Sequence, residues 1–362
     1  MKVKIKDIAA RAGVSTGTVD RVIHSRGRVS HKTRELVEKA MHELEYKPDI
    51  VARMLARRDQ RLIKILLPYP YQDAYWKIVR DGIEEGLREF SPYRIQGQIH
   101  YYDMNDSIHF HQIGSEMLEH RPDIVLLGSE YHHQTLDLVR ICHQQDIPCI
   151  ILNAEINSIP RLSFIGINSY AVGELVGRII RNTRGLHHVL VVHNTENIEN
   201  TPHLKNKEIG LRSSLAEAGP NFRVEDIVIR NEASRNQTMA AISRAISDHE
   251  ADTVYFSTSR AYQFSVALKK KFPGLYIIGH DLIDQHIRLM EKGAIDLLID
   301  QSGYRMGYLS IRSWVHHLIM DQEIPSTQYL PIKIIYPENL PFFHLPRTLE
   351  EFPSSTMIQE GF

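Results

Sequence analysis

From Arg61 onward, short apolar runs alternate with amphipathic segments, and few folds accommodate that alternation. Runs at 62–67, 95–102, 123–128, 148–152, 189–193, 224–229, 253–257, 276–279 and 294–299 read as strands. Between most of them lie segments of helical periodicity, at 76–90, 108–119, 135–144, 172–181, 209–218, 238–247 and 262–271. In the first, Val79, Ile83, Leu87 and Phe90 share one face with Gly82 and Gly86. Strands that alternate with helices predict parallel sheets covered on both faces, with ligand groups at the C-terminal strand ends. Nine such strands exceed what one compact sheet needs, so the pattern predicts two doubly wound lobes with a cleft between them. The tail after about residue 345 contains Pro and Ser and is predicted to be loose.

The first sixty residues have a different texture. Ile5, Ile8, Ala9 and Ala12 recur at helical spacing, and Gly13 suits the left-handed conformation that ends a helix. Ser15 can cap a second helix that buries Val19 and Val22 or Ile23 and leaves Thr16, Gly17, Asp20 and Arg21 outside. Two short helices joined by a tight turn form a helix-turn-helix, whose second helix can enter a DNA major groove. After a loop at 25–29, Ser30 caps a third helix with Leu36, Val37, Ala40, Met41 and Leu44 as its apolar positions. Pro48 ends that unit and can open a fourth, short helix running from Asp49 to about Arg57. Its Ile50, Val51, Met54 and Leu55 have nothing local to bury them, and a helix of this length is marginal alone. Either it pairs with a partner or it is a flexible linker.

Charge is distributed accordingly. Through Arg61 there are 15 Lys and Arg against 8 Asp and Glu, while the whole chain carries a formal −1. A basic head on an acidic body points to a polyanionic partner. Cys142 and Cys149 sit in apolar stretches and read as reduced, buried thiols rather than a disulfide. The start of the chain has no apolar signal region and no run reaches membrane-spanning length. The expected location is therefore the cytoplasm, on the nucleoid, with no membrane partner. The pairs His132-His133, His187-His188 and His316-His317, and His109 with His111, lack carboxylates or thiols at metal-ligand spacing. No Walker-type loop, Rossmann glycine fingerprint or serine nucleophile elbow occurs. No metal, cofactor or catalytic residue is expected.

Ile5-Lys6-Asp7-Ile8-Ala9, Ala12-Gly13-Val14-Ser15, Thr18-Val19, Arg21-Val22, Val29-Ser30, Thr33-Arg34, Tyr46-Lys47-Pro48 and Ala52-Arg53-Met54-Leu55 stand at characteristic spacings. In these the first 57 residues resemble the lactose/galactose repressor (LacI/GalR) family of bacterial transcription regulators. The remainder resembles that family's periplasmic-binding-protein-like (type I) effector domain. It does so through its strand-helix order, Phe164-Ile165-Gly166-Ile167-Asn168, Gly173, Lys207-Glu208-Ile209-Gly210-Leu211, Ile278-Gly279-His280-Asp281 and Ile299-Asp300-Gln301 followed by Gly307. The resemblance implies an all-α helix-turn-helix head at 1–47 and a hinge helix and linker at 48–60. A two-lobed α/β ligand-binding and dimerisation domain follows at 61–345, with crossovers near 165, 302 and 330, and then a tail at 346–362.

It also implies roles for residues. Thr16, Gly17 and Arg21 match the base-reading positions. A guanidinium can bond a guanine edge bidentately, worth ~1–3 kcal/mol of discrimination, or it can clamp a phosphate. Gly17 reads nothing by side chain and permits close approach. Asp20 stands where the family usually has serine; its carboxylate repels phosphate, so it orients Arg21 or accepts from a cytosine N4. Ser15, Thr18, Thr33 and Arg34 would hold phosphates. Hinge helices of two protomers would pair in the minor groove, burying Ile50, Val51 and Met54 against each other, with Ala52, Arg53 and Leu55 in the groove and Leu55 wedged between base pairs.

In the cleft, Asn153, Lys207, Asp281 and Gln301 match ligand-contacting positions. Lys207 replaces a more usual arginine, and Ser259-Arg260 replaces Asn-Asp. Carboxylates and amides suit paired sugar hydroxyls, Arg260 joins them, and Tyr71, Tyr75 and Trp76 could stack on a ring or simply pack a helix start. The implied protein is a homodimeric regulator, expected to repress, that binds a near-palindromic operator and senses a carbohydrate or sugar derivative. A purine- or nucleoside-sensing regulator of the same fold is the alternative, and a sugar-acting enzyme with a DNA-binding head a remoter one.

Overall fold

A computed structural model describes residues 3–23, 29–44, 46, 60–119, 121–156, 160–230, 233–320 and 322–343. The chain divides into two compact units, the first ending at Asp59 and the second beginning at Gln60. The predicted hinge helix with Ala52, Arg53 and Leu55, most of the loop at 25–29 and the tail after 345 lie outside the described residues.

The first unit contains α1 (Ile5–Ala12), α2 (Thr16–Ile23) and α3 (His31–Glu43). Gly13 ends α1 at φ 66°, and its N–H reaches the Ala9 carbonyl. That left-handed conformation costs an ordinary L-residue about 1–2 kcal/mol. Ser15 Oγ accepts the Thr18 N–H at 3.1 Å at the start of α2, and Ser30 Oγ accepts the Thr33 N–H at 3.2 Å at the start of α3. Ile8, Val19 and Val37 are wholly buried where the three helices meet, flanked by Ala9, Val22 and Ala40. Val22 takes the core place and Ile23 packs beside it, while Leu36 turns to solvent.

The second unit contains two six-stranded sheets. The N-lobe sheet consists of β1 (Arg61–Pro68), β2 (Ile95–Tyr102), β3 (Ile124–Gly128), β4 (Cys149–Leu152), β5 (Ser163–Gly166) and β11 (Thr327–Tyr329). Its order is β11-β5-β4-β3-β1-β2, parallel throughout. The C-lobe sheet consists of β6 (His188–Asn194), β7 (Arg223–Ile229), β8 (Thr253–Phe256), β9 (Tyr276–His280), β10 (Leu297–Asp300) and β12 (Lys333–Ile335). Its order, β12-β10-β9-β8-β6-β7, repeats the first, except that β12 runs antiparallel to β10. The N-lobe sheet carries α4 (Ala74–Glu89), α5 (Ser107–Leu118), α6 (His132–Gln144) and α12 (Gly303–Met320); the C-lobe sheet carries α7 (Ser169–Asn182), α8 (Pro202–Ala216), α9 (Arg235–Asp248), α10 (Ser265–Lys271) and α11 (Asp284–Glu291).

The chain passes between lobes three times: after β5 into α7, after β10 into α12, and after β11 into β12. Ser302 Oγ, on the second crossing, donates to the Pro331 carbonyl on the third at 3.2 Å. One helix pair in each lobe packs at backbone contact. A Cβ at Gly82 of α4 would overlap the Tyr304 carbonyl of α12, and one at Gly307 would overlap the Val79 carbonyl. The same reciprocity joins α7 and α8, where Gly173 lies on the Lys207 carbonyl and Gly210 on the Tyr170 carbonyl. Both cysteines are free and lie in the N-lobe core, and burial pushes each thiol up to about 12, which leaves them unreactive near neutrality.

Candidate functional site: a helical face and an interlobe cleft

The head offers one surface of α2. Thr16, Gly17 and Arg21 are exposed and Asp20 half-buried, and their spacing places all four on one side of the helix. Ser15 and Thr18 lie at the start of this helix with their hydroxyls bonded to each other at 2.9 Å. Thr33 is likewise bonded to Ser30 at 2.7 Å, beside Arg34 in the first turn of α3. Nothing lies within van der Waals reach of a Cβ at Gly17 except Ser15 Oγ at 3.8 Å. The fold itself therefore does not require glycine there.

In the second unit, the C-terminal strand ends of both sheets converge on a cleft, the usual place for a ligand in a doubly wound fold. The N-lobe contributes Asp73 and Tyr75 after β1, Glu130 after β3 and Asn153 after β4. The C-lobe contributes Asn194 at the end of β6, the loop from Ser257 to Arg260 after β8, Asp281 after β9 and Gln301 after β10, with Lys207 reaching in from α8. Asn153 and Asp281 adopt left-handed backbone at φ 71° and 70°, and Ser302 does so at 57°. Asn and Asp tolerate that region better than other non-glycine residues, and such positions cluster at ligand sites.

A hydrogen-bonded chain forms the cleft floor. Lys207 Nζ donates to the Ser257 carbonyl and to Gln301 Oε1, both at 3.0 Å. Gln301 Nε2 in turn donates to both Asp281 oxygens, at 2.9 and 3.1 Å. Burial pulls the Lys207 ammonium down to about 8, against the opposing pull of Asp281, Glu130 and Asp73. Burial and the neighbouring Asp300 carboxylate raise Asp281 well above the usual carboxylate range, against the charge of Lys207. Two of the three ammonium hydrogens have protein acceptors among the described residues, which leaves the third for a ligand. Asn194 Oδ1 and Thr258 Oγ1 are buried without a hydrogen-bond partner among the described residues. On the facing wall, Tyr75 O–H donates to Asn153 Oδ1 at 3.1 Å, and Asn153 Nδ2 to Glu130 Oε1 at 3.3 Å.

Direct bonds cross the cleft. Ser259 O–H donates to Asp73 Oδ1, and His203 Nε2 stands 3.2 Å from Glu130 Oε2. Asn200 Oδ1 accepts the His133 N–H, and its Nδ2 donates to Gln134 Oε1, each at 2.9 Å. Burial raises Asp73 above its ordinary value, opposed by the Arg260 charge and the Ser259 bond.

Tyr75, Asn153, Lys207, Arg260, Asp281 and Gln301 thus share one cleft, as their placement at strand ends and on α8 requires. Tyr71 and Trp76 do not line it. Tyr71 is 78% exposed and stacks on Tyr69 at 5.1 Å. Trp76 is fully buried over Gly128, because it lies at helical spacing with the core residues Val79 and Ile83. Of these three aromatics, Tyr75 alone is among the described residues that line the cleft. Sequence reasoning missed Asp73, Glu130 and His203. Asp73 left a usable signal: a carboxylate that caps α4 through the Tyr75 N–H, just beyond the end of the first strand.

Among the described residues, His193, Glu208 and Asp226 form one group of potential metal ligands. Arg212 already bridges its carboxylates, at 2.6 Å from Glu208 and 2.8 Å from Asp226. Burial alone would raise the Glu208 carboxyl, but the bonds from His193 and Arg212 hold it down at about 2. A guanidinium stands where a cation would sit. No helix among the described residues is long and apolar enough to cross a membrane.

The two lobes and their cleft define the class of the larger unit: the sequence profile of the periplasmic binding protein domain matches residues 63–321. The profile of bacterial regulatory proteins of the lacI family matches residues 4–49. The chain belongs to the lacI family of bacterial transcription regulators, with a helix-turn-helix head joined to a periplasmic-binding-protein-like domain. It is 26% identical to the ribose operon repressor of Lactococcus lactis subsp. lactis, over 93% of this chain and 97% of that protein. It is 47% identical to the sucrose operon repressor of Pediococcus pentosaceus over 66 residues, 18% of this chain and 20% of that one. A putative LacI transcriptional regulator from Bacteroides fragilis shares the fold at a TM-score of 0.74 and 23% identity, covering 79% of this chain and all of that one.

Proposed function

We propose that this regulator binds a carbohydrate in the interlobe cleft and, as a homodimer on a near-palindromic operator in the cytoplasm and on the nucleoid, acts as a sugar-responsive repressor. The observation that carries the reading is the floor of the cleft. Lys207, Gln301 and Asp281 form a pre-organised polar chain, and Asn194 and Thr258, whose buried Oδ1 and Oγ1 have no hydrogen-bond partner among the described residues, line the same cleft. Groups that accept and donate side by side suit the vicinal hydroxyls of a sugar, because a buried site left unpaired by the wrong ligand rejects it strongly. The names of the ribose and sucrose operon repressors agree with this chemistry. A ligand that touches both lobes shifts the balance between open and closed states, and a 1:99 to 99:1 switch needs about 10⁴-fold differential affinity, ~5.5 kcal/mol.

A thermal-shift screen against sugars, purines and nucleosides tests the ligand class. A sugar at 100 times its Kd stabilises by ~2.7 kcal/mol and alters operator binding; stabilisation by nucleosides alone replaces the carbohydrate reading. On the head, Arg21, Thr16, Gly17 and Asp20 are proposed to face the bases, with Ser15, Thr18, Thr33 and Arg34 on phosphates. Arg21→Ala is expected to lose ~1–3 kcal/mol of operator selectivity with ligand binding intact, read from competition between operator and non-operator DNA. An unchanged site preference removes Arg21 from base reading and leaves it a phosphate contact.

A further inference from the structure

We propose that the effector is longer than one sugar ring, and that its second hydroxyl-bearing unit occupies a side pocket opening off the cleft at Asn194. The inference rests on the carbohydrate reading and specifies it. A second cavity shares Met104, Glu130 and Asn194 with the main cleft. It continues away from the Lys207 floor toward Tyr131, Glu196 and Asn197. Asn194 stands at the junction, 8% exposed, with its Oδ1 lacking a partner among the described residues.

The chemistry of the two spaces differs. Lys207 and Arg260 reach the main cleft, whereas no lysine, arginine or histidine lines the side pocket. Its charged groups are the Glu130 and Glu196 carboxylates, joined by side-chain amides and hydroxyls. Such a lining accepts hydrogen bonds and repels anions, so it suits the hydroxyls of a second sugar unit and disfavours a phosphate. Tyr131 gives it a fixed wall, since its O–H is held by the Met104 carbonyl at 2.6 Å.

Both lobes contribute to this pocket. Met104, Glu130 and Tyr131 come from the N-lobe and the segment from Asn194 to Thr201 from the C-lobe. Asn200, which lines it, also makes the cross-lobe bonds to His133 and Gln134. The second unit of the ligand therefore sits beside the contacts that join the lobes, and the length of the effector becomes part of the signal.

The test is calorimetric titration of the full-length protein with matched probes: monosaccharides, disaccharides containing the same ring, and the corresponding sugar phosphates. At least one disaccharide is expected to bind about tenfold or more tightly than its parent monosaccharide, with phosphates at that end the weakest. Glu196→Gln is expected to cost the disaccharide about tenfold and to leave the monosaccharide within twofold. Asn197→Ser, which keeps an acceptor for the Glu199 N–H that Asn197 caps, repeats the test from another part of the rim. A monosaccharide that binds tightest, or variants that move both ligands alike, overturns the side pocket and leaves the carbohydrate reading standing. A panel in which no sugar binds overturns both.

Discussion

In the N-lobe, the strand ends facing the cleft carry Asp73, Glu130 and Asn153. In the C-lobe, the corresponding ends carry Asn194, Ser257 to Arg260, Asp281 and Gln301, backed by Lys207 and His203 of α8. The sheets have the same strand order, and each lobe closes one helix pair through reciprocal glycines. Yet every cation of the cleft lining comes from the C-lobe, and the N-lobe supplies carboxylates without one. The pairing of Glu130 with His203 and of Asp73 with Ser259 and Arg260 follows from that division. A duplicated scaffold thus fixes where functional groups stand, and divergence of the loops makes the two faces complementary rather than alike.

The scaffold half of this comparison predicts the largest effects. Gly82→Ala and Gly173→Ala each push a methyl group into a backbone carbonyl of the facing helix, and each is expected to cost about 3 kcal/mol by urea unfolding. A loss at one position alone breaks the equivalence of the two seams. Next comes the chemistry of the C-lobe: Asp281→Ala is expected to weaken the effector by about thirtyfold, ~2 kcal/mol, while DNA affinity in its absence is kept. A normal ligand response removes Asp281 from the site.

The third effect is a pH dependence. With Lys207 pulled down to about 8, the folded protein releases this proton while the unfolded chain still holds it. Between pH 8 and about 10.4 the unfolded state thus binds more protons, so this group makes stability rise with pH. Ligand binding has the opposite sign where the ammonium donates to the effector: affinity falls through pH 8, by about tenfold at pH 9. A flat affinity profile across that range, measured calorimetrically, means that the neutral amine binds equally well. Smallest is Asp73→Asn, which keeps the shape of an N-lobe partner but removes its charge; about 1 kcal/mol, or fivefold in effector affinity, is expected.

The fold was legible in the sequence where hydrophobic periodicity was unbroken, as in the nine predicted strands, each of which has a counterpart among β1–β4 and β6–β10. Of the three missed strands, β11 and β12 are three residues long, too short for a period to register, and β5 is bounded by Ser163 and Gly166, which leaves an apolar run of only two. The α12 helix was missed although it covers the N-lobe. Gly303 and Gly307 count against a helix locally and are explained only by how closely α4 approaches. The start of α8 was missed for another reason: His203, Lys207 and Glu208 are polar yet buried, so its apolar face is interrupted where function enters.

The site was partly legible by the same logic. Residues matched by family position, such as Asp281 and Gln301, lie in the cleft, whereas Tyr71 and Trp76 have only their ring chemistry to point to a ligand. Whether an aromatic faces ligand, core or solvent depends on the helix phase and the opposite wall. Glu130 and His203 were invisible for a related reason, being far apart in sequence and meeting only across the lobes.

The three crossings of the chain between lobes carry a consequence for synthesis. The N-lobe begins with β1 but receives α12 and its edge strand β11 only after β6–β10 have been made. On the ribosome, the glycine face of α4 waits uncovered while the second sheet emerges, and neither sheet is complete until the last strands at 327–329 and 333–335 arrive. A nascent chain stalled before Gly303 would present that face to chaperones and proteases. Competence to switch is then acquired in one late step, when the final forty or so described residues close both lobes together.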